Sequence, residues 1–218
     1  MYKLAAFDLD GTIADTLRDL AEAVNYAMTR QGLKTYPVDD YRHFVGNGVD
    51  NLMMTVMGGG YSPEAAERAK ADFYDCYAGH CLDYTAVYPG IAELLSRLSA
   101  DGVMTAVISN KPHAFVPRIL SALYPGHSFT YASGQRGGAA RKPAPDALLS
   151  LMAELGVSPR DTLYIGDSDV DVAFAHAAGV KVCGVSWGFR GAGELISAGA
   201  DMIADTVGQL TEYIYEQA

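Results

Sequence analysis

Two aspartates close an otherwise apolar run near the start of the chain, Phe7-Asp8-Leu9-Asp10-Gly11-Thr12. In an extended strand, side chains two residues apart point to one face, so two anions meet unless a cation or a turn intervenes. A bound metal relieves that cost; an Asp-Gly turn with incidental acids is the other reading. A second acidic run is Gly166-Asp167-Ser168-Asp169-Val170-Asp171. Acids at a helix start either favour the helix dipole or supply hard oxygen ligands to Mg²⁺. Two further patches lie between them. In Ser109-Asn110-Lys111-Pro112, a hydroxyl and neighbouring backbone amides opening a helix make a phosphate cradle or a plain helix cap. In Arg141-Lys142-Pro143-Ala144-Pro145, a lone cation precedes a Pro-initiated helix, where most lysines are solvated surface.

Each patch falls just past a predicted strand or at the head of the next helix. After residue 85, helical segments (Ile91, Leu94, Leu95, Leu98; then Leu148, Leu149, Met152, Leu155) alternate with short apolar runs over 103–108, 162–165 and 180–185. Gly102, Gly156 and Gly179 stand where the helices should stop. That alternation predicts a doubly wound parallel sheet of Rossmann-like α/β type, with helices on both faces. Polar residues at the carboxyl ends of such strands converge at one edge, however distant in sequence. A helix is predicted from about Pro112, and Pro117 should kink or shorten it.

Residues 15–84 break the rhythm, with helix following helix and no strand-like run. Leu17, Leu20, Val24, Ala27 and Met28 share a face, with Asp15 or Thr16 as cap and Gly32 as stop. Further helices are predicted over about 38–57 and 62–79, separated by Gly58-Gly59-Gly60. The expected organisation is an α/β core of residues 1–14 and 85–218, with a small helical domain, residues 15–84, inserted after the first strand.

The 218 residues are half hydrophobic and 19% charged, enough for a sizeable core, and the formal charge of −10 disfavours nucleic acid and anionic lipid as partners. No apolar stretch approaches the ~20 residues of a membrane span. Cys76, Cys81 and Cys183 form no metal pattern and read as reduced thiols. A cytoplasmic protein, monomer or homodimer, is expected.

In this order the four patches resemble the haloacid dehalogenase-like superfamily: DxDGT at Asp8 to Thr12, then Ser109, Lys142, and GDSxxD at Gly166 to Asp171. The helical insertion falls where that family places its cap domain. The resemblance implies Asp8 as nucleophile and Mg²⁺ ligand, and Asp10 as general acid/base that gives its backbone carbonyl to the metal. It further implies Ser109 and Lys142 on the phosphoryl oxygens, Asp167 as third protein ligand, and Asp171 supporting them from behind. Asp169 is a bystander. Gly11, Thr12 and Asn110 are expected to line the phosphate site. The carboxylate at Asp10 disfavours carbon–halogen cleavage, since the family's dehalogenases lack it.

The loop Phe44-Val45-Gly46-Asn47-Gly48-Val49 is the insertion's candidate contact with substrate, through Gly46, Asn47 and Gly48, or else an ordinary interhelical turn. With Tyr88-Pro89-Gly90 and Ser186-Trp187-Gly188-Phe189-Arg190 it resembles the phosphoglycolate phosphatase branch, which implies a small phosphorylated metabolite as substrate. The glycine- and arginine-rich segment from Ser133 to Arg141 departs from the branch's pattern. Lys111 and Arg190 are candidates for a substrate carboxylate, with surface placement the expectation for both. The alternatives are an inorganic pyrophosphatase, a sugar-phosphate phosphatase or mutase, a phospho-accepting receiver domain, and a non-catalytic phosphate-binding protein.

Overall fold

A computed structural model describes residues 1–58 and 61–216. At its centre is strand β1 (Leu4–Phe7), every residue of which is buried. It pairs in parallel with β4 (Met104–Pro112) on one side and β6 (Thr162–Gly166) on the other. Strand β5 (Tyr131–Gln135) adds beyond β4, while β7 (Lys181–Val185) and β8 (Met202–Ala204) add beyond β6, giving the order β5-β4-β1-β6-β7-β8. Alternate residues of the strands enter different cores. Ala5, Phe7, Val107, Leu163 and Ile165 join one, and Leu4, Ala6, Ala106, Ile108 and Tyr164 the other. Covering both faces is what makes the central strands continuous apolar runs rather than alternating ones.

One helical layer holds α4 (Ile91–Ala100), α5 (Val116–Leu123) and α9 (Val207–Glu216); the other holds α6 (Asp146–Leu155), α7 (Asp169–Ala177) and α8 (Gly191–Ala198). The inward residues expected of α4 are all buried. In α6, Leu149 is instead 44% exposed and Leu151 is buried in its place. The helix expected from Pro112 starts at Val116, so Pro117 falls in the first turn, where its missing N–H costs nothing and no kink follows. Residues 109–112 belong to the extended end of β4, with a register irregularity between Ile108 and Pro112.

Between β1 and β4 the chain leaves and re-enters the core through a short antiparallel pair, β2 (Ala14–Asp15) and β3 (Ala86–Val87), which the sequence reading did not separate from helix and loop. Helices α1 (Leu17–Arg30), α2 (Gly48–Met57) and α3 (Pro63–His80) lie between them, together with a 3₁₀ turn, Val38–His43. The apolar face expected of α1 is buried. Gly58 terminates α2 in a left-handed conformation; the expected break at Gly59 and Gly60 lies outside the described residues.

Candidate active site

The chain passes from β1 outward to β4 and β5, then crosses back over β1 to β6. The carboxyl end of β1 is therefore the point where strand order reverses, and loops on its two sides open a crevice there. Asp8 stands at that point, its N–H extending the ladder to the Ile165 carbonyl at 2.9 Å. Behind it the chain turns tightly: the Leu9 carbonyl accepts from the N–H groups of Thr12, Ile13 and Ala14. Gly11 has φ +81°, and a Cβ there would lie 2.2 Å from Asp167 Oδ2, so conformation and space both require glycine.

Four of the expected groups converge. Asp8, Ser109, Lys142 and Asp167 are all buried, at 7%, 6%, 4% and 3% exposure. Lys142 Nζ lies 3.0 Å from Asp8 Oδ1 and 2.7 Å from Asp171 Oδ1, and it donates to the Tyr164 hydroxyl at 3.0 Å. Asp171 is fully committed. Its Oδ2 accepts from the Ser168 hydroxyl at 2.7 Å and from the N–H groups of Asp167 and Ser168, while its Oδ1 takes Lys142. It thus braces both the lysine and the turn that presents Asp167. Asp167 Oδ2 accepts the Phe189 N–H at 2.7 Å. Asp169 is exposed and takes no part.

Oxygens of Asp8, Asp167 and Asp171 lie within 4.8 Å of one another. With Asp171 spent on hydrogen bonds, Asp8 and Asp167 are the side chains left to meet a cation. Asp8 Oδ1 is buried without an aligned hydrogen bond among the described residues, although the ammonium is close. Burial pushes the Asp8 carboxyl up to about 6, against the pull of Lys142, and Asp171 and Asp10 add to the rise. Burial likewise holds Asp167 well above its ordinary range, reinforced by Asp171 and Asp8. Two hard, desolvated carboxylates with oxygens this close fit a divalent cation, which would offset both the burial and the mutual repulsion that raise them.

The side chain of Asp10 turns away from that cluster. Its Oδ1 accepts from Thr16 Oγ1 at 2.6 Å and from Lys111 Nζ at 2.9 Å. Thr16 precedes α1 as expected but spends its hydroxyl on Asp10 and caps nothing with its side chain. Lys111 and Arg190 depart from the expected surface placement, with side chains 1% and 11% exposed. The irregular end of β4 turns Lys111 inward. Burial lowers the Lys111 pKa, but attraction to Asp10 outweighs it, and the ammonium is held above its usual range.

Two expected phosphate contacts have other duties. Thr12 Oγ1 points to Asp167 Oδ1 at 3.4 Å. The Asn110 amide donates to the Gly46 carbonyl at 3.0 Å and the Lys142 carbonyl at 3.1 Å, and its Oδ1 accepts the Lys142 N–H at 2.9 Å. Its side chain is a tie, not a ligand. The loop before α2 does reach the site. Its carbonyls at Val45, Gly46 and Asn47 accept from Arg190, Asn110 and Arg141 respectively, at 2.9, 3.0 and 3.2 Å. Gly46 and Gly48 line the cavity above Asp8, while Asn47 contributes its carbonyl to the Arg141 tie.

Residues 5–185 match the family described as haloacid dehalogenase-like hydrolase. A Pseudomonas putida relative named phosphoglycolate phosphatase is 38% identical over 193 residues, covering 86% of this chain and 71% of its own. A phosphoglycolate phosphatase from Psychrobacter arcticus is 31% identical across 97% of this chain and 95% of its own. Among solved structures, a predicted phosphoglycolate phosphatase from Haemophilus somnus superposes with a TM-score of 0.89 at 29% identity, covering 97% of each chain. Convergence of the four motifs at the switch point and these likenesses agree: the chain is a phosphoric monoester hydrolase of the haloacid dehalogenase-like family, in its phosphoglycolate phosphatase-like branch.

Proposed function

We propose that this chain hydrolyses a small phosphorylated acid, phosphoglycolate or a close analogue, through an aspartyl-phosphate formed on Asp8, with Mg²⁺ as cofactor. The observation that carries the reading is the Asp8 carboxylate: buried at the strand-order switch, 3.0 Å from the Lys142 ammonium, and close enough to Asp167 for one cation to meet both. Asp8, Asp167 and the main-chain carbonyl of Asp10 would hold the ion, which when bound neutralises the repulsion between carboxylate and phosphate and stabilises charge on the phosphoryl oxygens.

A carboxylate oxygen of Asp8 forms the bond to phosphorus as the bond to the leaving oxygen breaks. Lys142, held by Asp171, and the hydroxyl and N–H of Ser109 bind the equatorial oxygens where negative charge gathers. Asp10, oriented by Thr16 and Lys111 through Oδ1, gives its proton to the departing alkoxide. The same carboxylate then takes a proton from water, whose oxygen attacks phosphorus and returns Asp8 with release of phosphate. Residues 15–84 serve as a cap that excludes bulk water and meets the leaving group, over a core of residues 1–14 and 85–218.

The test is Asp8→Asn. Phosphate release from phosphoglycolate and p-nitrophenyl phosphate in Mg²⁺ should fall by at least about 10³-fold with unchanged circular dichroism. Borohydride reduction of acid-quenched wild-type enzyme should convert residue 8 to homoserine. Near-normal turnover by the variant, or reduction mapping to another residue, would refute the mechanism.

A further inference from the structure

Past the reacting groups, the cavity runs on toward α3, where Lys111 and Tyr77 meet. Leu20, Val49, Leu52 and Phe73 supply apolar lining to the same cavity. Lys111 carries its charge into it, with Nζ 4.7 Å from the centre of the Tyr77 ring and one bond to Asp10 Oδ1. An ammonium has three protons to donate. Tyr77 is fully buried; its hydroxyl oxygen sits beside the Lys111 ammonium without an aligned hydrogen bond, and an ammonium cannot accept the phenol's own proton, which finds no acceptor among the described residues. Packing holds that hydroxyl in position. The ring stacks on Phe73 at 5.3 Å and meets Phe115 edge-on at 4.8 Å. A buried phenol without an acceptor is an unfavourable arrangement that a bound anion corrects. Other cations near the cavity are occupied: Lys142 by Asp8 and Asp171, Arg190 by the Val45 carbonyl and Glu194, and Arg141 by the Asn47 carbonyl.

Position narrows the ligand. The phosphate is accounted for by Asp8, Ser109 and Lys142. Lys111 is bonded to Asp10, the group that protonates the leaving oxygen, so whatever meets Lys111 is attached to the leaving fragment close to that oxygen. We propose that Lys111 and Tyr77 form a subsite for a carboxylate on the leaving group, and that this pair sets the preference for a phosphorylated short-chain acid over a neutral phosphate ester. The assignment rests on the proposed monoester hydrolysis. Both lysine and phenol donate to the carboxylate, and the apolar wall leaves a longer polyhydroxylated fragment without partners.

The experiment compares kcat and KM for phosphoglycolate and for ethyl phosphate, which has a methyl group where the acid has its carboxylate. Wild-type and Tyr77→Phe enzymes are assayed in Mg²⁺, with Lys111→Met as a second variant and thermal unfolding of each as a check on folding. Wild type should prefer phosphoglycolate in kcat/KM. Tyr77→Phe should lower that preference about tenfold, mainly through KM. Lys111→Met should lower it further, with an additional loss of kcat on both substrates because Asp10 keeps only Thr16 of its two partners. Equal loss on both substrates in Tyr77→Phe would make the tyrosine structural and overturn the proposal. So would a wild-type enzyme that hydrolyses both esters without preference, an outcome that leaves the monoester hydrolysis standing. Failure of wild type on these esters and on p-nitrophenyl phosphate would defeat both readings together.

Discussion

Two lysines are buried in this site, and their surroundings differ in origin. Lys142 is enclosed by Asp8, Asp171 and Tyr164, which stand on or beside β1, β6 and α7 of the core. Lys111 has one partner from the core side, Asp10, and lies over Tyr77 of α3, in the inserted helices. Burial alone would push both ammoniums down, and in both the neighbouring carboxylates reverse the sign. What separates them is who completes the environment. The core alone, sheet and α7 together, completes that of Lys142, so the phosphate end is settled before any substrate arrives. The environment of Lys111 is finished by a helix of the insertion, so the leaving-group end can differ between relatives without disturbing the chemistry.

The comparison breaks most readily at Lys142. Lys142→Met should lower kcat for every phosphate ester by about 10³-fold, since the charge on the phosphoryl oxygens loses a fixed cation. Substrate dependence of that loss, measured by phosphate release from phosphoglycolate and ethyl phosphate, would show that Lys142 is not confined to the phosphate end. Asp171→Asn keeps the shape of the brace but removes its charge, and kcat should fall about 10- to 100-fold on both esters. Activity within twofold of wild type would mean that Tyr164 and Asp8 alone position the lysine. The smallest effect is expected at the loop. Arg190→Met removes the donor to the Val45 carbonyl, and KM should rise about threefold while kcat changes little. A rise in kcat instead would mark opening of this loop as the slow step.

Strands buried on both faces were the readable part of the fold, because unbroken apolar runs such as Leu4-Ala5-Ala6-Phe7 admit few other interpretations. Strand β5 was not readable. It lies at the sheet edge, and Tyr131-Ala132-Ser133-Gly134-Gln135 is too polar and too short in apolar residues to announce itself. Strand β8, of three residues, has no period to detect. At the site, the meeting of Asp8, Ser109, Lys142 and Asp167 in one place was legible because each follows a recognisable strand or precedes a helix. The inward turn of Lys111 was not, since it depends on an irregularity of β4 that no residue type signals. Asn110 was assigned to phosphate from its neighbours, yet its amide groups are consumed in binding Gly46 and Lys142, contacts 64 and 32 residues away along the chain. Tyr77, in a helix of mixed composition, is distinguished from any core aromatic only by the hydroxyl's lack of an acceptor.

Asp167 and Asp171 are bordered by bare backbone. A methyl at Gly11, Gly166 or Gly188 would come within 2.2 to 2.3 Å of atoms of these two acids. A wall of main chain cannot change rotamer to make room, so the gap between the carboxylates is a dimension of the sheet, inherited from strand register. The cavity that such a gap offers an ion is accordingly built to a fixed gauge. Diversification of this enzyme has to proceed at its far end, among side chains that can be exchanged.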